Sequence, residues 1–146
     1  MKAEQLFSIA NSLALICWLL LAVFPRRKLT GIAVLSGGVP LLLSAAYLIL
    51  VALFFFSANG GFGSLPDVMK LFTNEWVALA GWLHYLAFDL LIGGWEVSEA
   101  QAKGISHLLV IPCLFLTFMF GPVGFLLFVV LRFFLAKEVK NDSETI

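Results

Sequence analysis

The sequence predicts an all-α, polytopic membrane protein: a bundle of four transmembrane helices, the fourth kinked at Gly121-Pro122. Three observations carry that expectation. Of 146 residues, 62% are hydrophobic and only 12% are charged, where a soluble domain carries about 25% charged residues. The mean hydropathy is +1.04. The apolar residues also come in blocks of the roughly 20 residues that a spanning helix needs, separated by short polar or glycine-rich stretches. The formal net charge is zero, so no basic surface for nucleic acid is expected.

The first block, about Gln5–Phe24, ends at Pro25 and the cluster Arg26-Arg27-Lys28. Its length, the acidic Glu4 before it and the lack of a small-residue cleavage pattern read as a retained helix rather than a signal peptide. The second block, about Gly31–Phe56, contains "SGGVP" (Ser36–Pro40), which kinks the helix or marks its true start. The stretch Ser57–Lys70 holds three glycines, Asn59 and Pro66 and reads as a loop. The third helix runs from about Thr73 to Ile92, and "GGWEVSEAQAKG" reads as a polar link.

The fourth block, about Ile105–Leu135, would span about 46 Å as one helix, more than a hydrocarbon core of about 30 Å. "GPVG" (Gly121–Gly124) lies near its middle. A kink at Pro122 is the favoured reading and a re-entrant break the alternative. Residues 1–136 form one domain, followed by a polar tail over 137–146. Short links make consecutive helices antiparallel neighbours, and four spans put both ends on one side. Basic residues then divide almost evenly: Arg26, Arg27, Lys28 and Lys103 on one side, Lys2, Lys70, Arg132, Lys137 and Lys140 on the other. The first helix favours both ends outside.

Ionisable side chains inside spanning segments are expensive, and they are functional candidates by default. Here these are Glu75, His84, Asp89 and His107. At 3.6 residues per turn, Glu75 and Asp89 lie about 40° apart, with Trp82 on the same face, whereas His84 and Asp89 diverge by about 140°. The two therefore need separate partners on other helices. By depth, Asp89 falls near His107 and His84 near Cys113. His84 and His107 differ in depth by about 10 Å, so bis-histidine haem is not expected. No metal site and no cofactor is predicted. Cys17 and Cys113 lie in apolar segments and read as buried free thiols.

Each candidate also has a structural reading. His84 bonds a carbonyl or Tyr47 within a packed core. Asp89 caps a kinked helix or pairs with Lys103. Glu75 answers the dipole at its helix start. His107 is a solvated residue at a helix start. Trp18, Trp76, Trp82 and Trp95 belong to aromatic belts or to lipid-facing packing.

Two stretches, "WLHYLAFDLLIGGWE" and "PCLFLTFMFGPVGFLLF", resemble the abscisic acid-deficient 4-like family over about Trp76–Arg132. The specific signals are Trp82, His84, Asp89 and Leu90 in one run, and the Gly121-Pro122 break. Plant members are associated with neoxanthin synthesis from violaxanthin in plastids, and the chain looks like a bacterial homologue of an inner-membrane protein. Where many bacterial relatives carry a basic residue between glycine and tryptophan, this chain has Gly94.

The resemblance implies an epoxide-to-allene isomerisation without a redox cofactor. An acid hydrogen-bonds or protonates the epoxide oxygen while a base removes a proton from a nearby carbon. His84 and Asp89 are the catalytic candidates by type. Trp82, Glu75, His107 and Cys113 are candidates for substrate contact. The implied partners are membrane lipid and a carotenoid or isoprenoid ligand, with a homo-oligomer left open. The alternative is a non-catalytic scaffold or accessory protein whose polar residues bind helices together. Transport is disfavoured by the small bundle and the lack of an inverted repeat.

Overall fold

The computed structural model describes residues 2–135; the tail expected over 137–146 lies outside them. Every regular element among the described residues is helical. Helix α1 (Ala3–Val23) opens with the Lys2 backbone N–H donating to Gln5 Oε1 at 2.9 Å and stops at Phe24, before Pro25. A single turn, α2 (Lys28–Thr30), runs directly into a π-helical turn, Gly31–Leu35. Buried Thr30 fixes this corner, its hydroxyl donating to the Phe24 carbonyl at 2.6 Å.

Gly37 then takes a positive φ of 85°, which a residue without Cβ adopts without strain, and α3 (Gly38–Phe54) follows. Pro40 sits in its first turn, where the missing N–H matters least. "SGGVP" is thus both a break and a start.

Two stretches expected to be irregular are helical. Leu65–Leu71 forms α4, capped by Ser64, whose hydroxyl oxygen accepts from the Asp67 backbone N–H at 3.3 Å. Ser-x-x-Asp is a helix-start pattern, hidden here by the surrounding glycines. Helix α5 spans Glu75–Ala102, capped by Asn74 Oδ1, and absorbs the whole "GGWEVSEAQA" stretch. Gly93 and Gly94 do not end it; they let neighbours approach. A Cβ on Gly93 would stand 2.7 Å from the Trp18 ring, and one on Gly94 would stand 3.3 Å from Val34. A side chain at Gly94 would require Val34 to shift by a few tenths of an ångström.

The fourth block corrects the largest expectation. It is not one kinked spanning helix but two half-length helices, α6 (His107–Phe120) and α7 (Pro122–Leu135). Gly121, with φ 47°, turns the chain, and Pro122 begins the next helix, the usual positions for these two residues. The two helices lie against each other. A Cβ on Gly124 would collide with the backbone nitrogen of Thr117 and come within 2.5 Å of the Cys113 carbonyl oxygen, contacts that a continuous helix cannot make.

Helix α7 then climbs back along α5: Trp95 meets Phe128 and Glu99 meets Arg132. Each half is about 21 Å long, too short to cross a hydrocarbon core. The pair forms a helical hairpin that returns to the end of the bundle where it begins.

Three segments are long and apolar enough to cross: Ala3–Val23, Lys28–Ser57 and Glu75–Ala102. Helix α5 is the hub, touching α1, the π-helical turn, α3, α6 and α7. Large apolar side chains such as Leu41, Leu48, Leu53 and Phe133 point outward, as lipid contact requires. The three long helices and the hairpin put the start of α1 and the end of α7 at opposite ends of the bundle, whereas the four spans expected from the sequence would place them at the same end.

Candidate functional site

Asp89 and Glu96 stand two turns apart on α5 and differ by only about 20° around its axis. Both are buried, Glu96 completely and Asp89 with 9% of its surface exposed. They face the hairpin. Thr117 on α6 donates its hydroxyl to Glu96 Oε1 at 2.8 Å. The Asp89 carboxylate lies against the hairpin tip, where a Cβ on Gly121 would come within 3.0 Å of Oδ1. The Tyr85 hydroxyl, one turn earlier, lies beside the same carboxylate while donating to the Phe118 carbonyl at 2.9 Å. Asp89 Oδ2 and Glu96 Oε2 have no hydrogen-bond partner among the described residues.

Asp89 is 13 residues from the α5 end and Glu96 six, or about 20 Å and about 9 Å, so Asp89 sits at the middle depth of the bundle and Glu96 about 10 Å nearer the α5 end. An unpartnered buried polar group costs about 1–3 kcal/mol, more if charged, and such groups call for an explanation beyond packing.

Tyr85 connects this centre to the surface. It lines a lateral groove of about 320 Å³ with Asn11, Leu15, Trp82, Phe118 and Met119. Trp82 donates its indole N–H to Asn11 Oδ1 at 2.7 Å and packs on Phe7. Trp82 therefore borders the groove that reaches Tyr85, whose hydroxyl lies next to Asp89.

His84 points elsewhere. Its ring is exposed on the far side of α5, 5.6 Å from the Tyr47 ring and 4.6 Å from that of Phe88, in the wall of a cavity of about 460 Å³. His84 lines this cavity, whereas Asp89 faces the hairpin tip at Gly121, in keeping with the roughly 140° between them around the helix. Glu75 sits in the first turn of α5, exposed, beside a shallow groove with Ala3, Glu4 and Phe7.

His107 begins α6 and donates a ring N–H to the Ala22 carbonyl at 2.9 Å, fastening the hairpin's base to α1; it does not meet Asp89. Lys103 pairs with Glu99 at 3.6 Å rather than with Asp89. Cys113 is buried and free, its thiol directed at the Leu109 carbonyl at 3.7 Å, and Cys17 is also buried and free. No group of three His, Cys, Asp or Glu side chains suited to a metal occurs among the described residues.

Glu96 escapes the sequence reading because Gly93-Gly94 reads as a helix end. The signal is present nonetheless: with α5 continued, Glu96 falls at i+7 from Asp89, on the same face.

Long apolar helices around a buried acidic pair define a small, all-helical protein of the integral-membrane type. Residues 5–128 match the model of the ABA DEFICIENT 4-like family, and the chain belongs to that family. No curated protein and no solved structure shows a match.

Proposed function

We propose that this chain is an integral membrane protein, of a bacterial inner membrane, that binds and isomerises a carotenoid-like or other isoprenoid lipid. The observation that supports this most is the Asp89–Glu96 pair, buried inside the bundle with an unpartnered oxygen on each carboxylate, beside Tyr85, which lines a groove on the bundle surface. The polyene lies in the groove bordered by Asn11, Trp82 and Phe118, and its oxygen-bearing end meets Tyr85 and Asp89.

For an epoxide, the chemistry balances internally. A carboxylic acid or the Tyr85 hydroxyl gives a proton to the epoxide oxygen as its C–O bond opens. A carboxylate takes a proton from a neighbouring carbon, whose electron pair becomes the new C=C bond. The product is an isomer, and the proton returns between acid and base before the next turnover. Acid and base positioned in this way contribute about 10²–10⁴-fold each. Asp89 and Glu96 replace the His84–Asp89 pairing, because His84 lines a different cavity.

A second reading has its own support. Thr117–Glu96, Glu99–Arg132 and His107–Ala22 all hold the hairpin to the rest of the bundle. In a scaffold or accessory protein these contacts, worth about 0.6–2 kcal/mol each in membranes, are the whole purpose of the polar residues.

Purification from a carotenoid-producing host, followed by extraction and chromatography, separates the two. The enzyme reading predicts altered or bound pigment with wild type that is lost in Asp89→Asn and Glu96→Gln. Identical pigment profiles from wild type and both variants would leave the scaffold reading.

A further inference from the structure

The acidic centre does not use a second, apolar cavity. This space, about 460 Å³, lies between α3 and α5 under the Phe55–Leu71 segment, lined by Tyr47, Phe55, Phe72, Val51, Gly81 and His84. Its size is within the roughly 300–1,000 Å³ typical of small-molecule sites. Its wall is aromatic and flat-sided. Phe55 stacks on Phe62 with centroids 5.4 Å apart, and Gly81 has no side chain because the Phe72 ring fills that position, 2.7 Å from where a Cβ would be.

Two polar groups interrupt the apolar wall. His84 packs against Tyr47 and Phe88 in tilted ring pairs, and neither His84 nor Tyr47 makes a side-chain hydrogen bond among the described residues. His84 is nine residues into α5, about 13 Å from its start, where lipid tails offer it no partner. An imidazole N–H and a phenol O–H, side by side on an aromatic wall, suit an acceptor on a flat ring.

We propose that this cavity is a second ligand site, taking the head of a lipid-soluble quinone: a flat conjugated ring whose keto oxygens accept hydrogen bonds from His84 and Tyr47. The ring slides between Tyr47, Phe55 and Phe72, and the apolar tail leaves through the open side into lipid. Apolar walls with a few convergent polar groups that fix orientation are how such sites work. The site is independent of the reaction at Asp89, and the two can fail separately.

The test is titration of the full chain in lipid nanodiscs with decylubiquinone, read as quenching of tryptophan fluorescence. Trp76 is the near reporter, stacked on Phe54 at 4.9 Å next to the cavity residue Phe55. Saturable quenching is expected, weakened about tenfold, the equivalent of one lost hydrogen bond, in His84→Ala and in Tyr47→Phe. It should be abolished by Val51→Trp, which fills the cavity. Decylbenzene, with the same tail and no keto group, should not compete.

Circular dichroism checks that each variant is folded, and Tyr47→Phe, a single-atom change, serves if His84→Ala is not. Linear, non-saturating quenching would overturn the proposal. So would saturable binding unchanged by His84→Ala, Tyr47→Phe and Val51→Trp, or equal competition by decylbenzene.

Discussion

Glu96 accepts a 2.8 Å hydrogen bond from Thr117 on one carboxylate oxygen and has no partner for the other. The half-satisfied carboxylate ties the hairpin to α5 and leaves a bare acceptor buried inside the bundle. Removing the Thr117 hydroxyl strands both oxygens, whereas removing the Glu96 charge relieves the desolvation. Thr117→Val should therefore lower the thermal midpoint, by the equivalent of about 1–3 kcal/mol. Glu96→Gln, which keeps the shape and still accepts from Thr117, should leave it unchanged or raise it. Melting curves of both variants in detergent check this, and a larger loss in Glu96→Gln than in Thr117→Val would show that the charge is needed for folding.

The hairpin depends on two glycines. Gly124→Ala drives a methyl group into the backbone of Thr117, and Gly121→Ala both strains a φ of 47° and crowds Asp89. Each should destabilise by about 1–3 kcal/mol or more. Gly31→Ala, where a Cβ meets nothing within 4 Å, should be neutral or slightly stabilising, as expected for alanine in a helix. Thermal denaturation of the three variants gives the ranking.

Topology can be tested directly. With three spans and a hairpin, the basic residues of the described chain separate: Arg26, Arg27, Lys28, Lys103 and Arg132 on one side, Lys2 and Lys70 on the other. The positive-inside rule then puts the larger group in the cytoplasm. Cysteines placed at Lys2 and at exposed Phe134 should react with a membrane-impermeant maleimide from opposite sides, Lys2→Cys from outside. The native Cys17 and Cys113 are buried and should stay silent. Labelling of both positions from one side would restore the four-span arrangement.

Arg132 closes the hairpin's open end. It donates to Glu99 Oε1 at 3.0 Å and lies 5.5 Å from the centroid of the Trp95 ring. Lysine keeps the charge but loses the planar stack. Arg132→Lys should cost less than Arg132→Ala, and both about 0.5–2 kcal/mol, because the pair is partly exposed. A thermal shift in low and high salt separates the ionic part from the stacking part.

Much of the fold is legible in composition and block length. The apolar runs locate the three long helices to within a few residues at most ends, and the 3.6-residue period places His84 and Asp89 on different sides of α5. What is not legible depends on neighbours. Glycine pairs read as breaks, yet Gly93-Gly94 is a packing surface for Trp18 and Val34, so α5 runs ten residues past Ile92 and buries Glu96. Gly121-Pro122 reads as a kink, and only the approach of Gly124 to Thr117 shows that the chain reverses. Cys113 and His107 are placed at a plausible depth by rise alone, but rise says nothing of azimuth, and they meet Leu109 and Ala22 instead of His84 and Asp89.

The central claim is that the bare carboxylates of Asp89 and Glu96 perform chemistry on an isoprenoid lipid. The most direct measurement is chromatography of a carotenoid epoxide after incubation with the purified chain in nanodiscs, using wild type, Asp89→Asn and Glu96→Gln at matched thermal stability. Time-dependent conversion to an isomer of equal mass is expected with wild type, and at least a hundredfold slower conversion with either variant, the lower end of an acid–base contribution. Conversion at the wild-type rate by both folded variants, or none by wild type across epoxides of differing ring substitution, would contradict it.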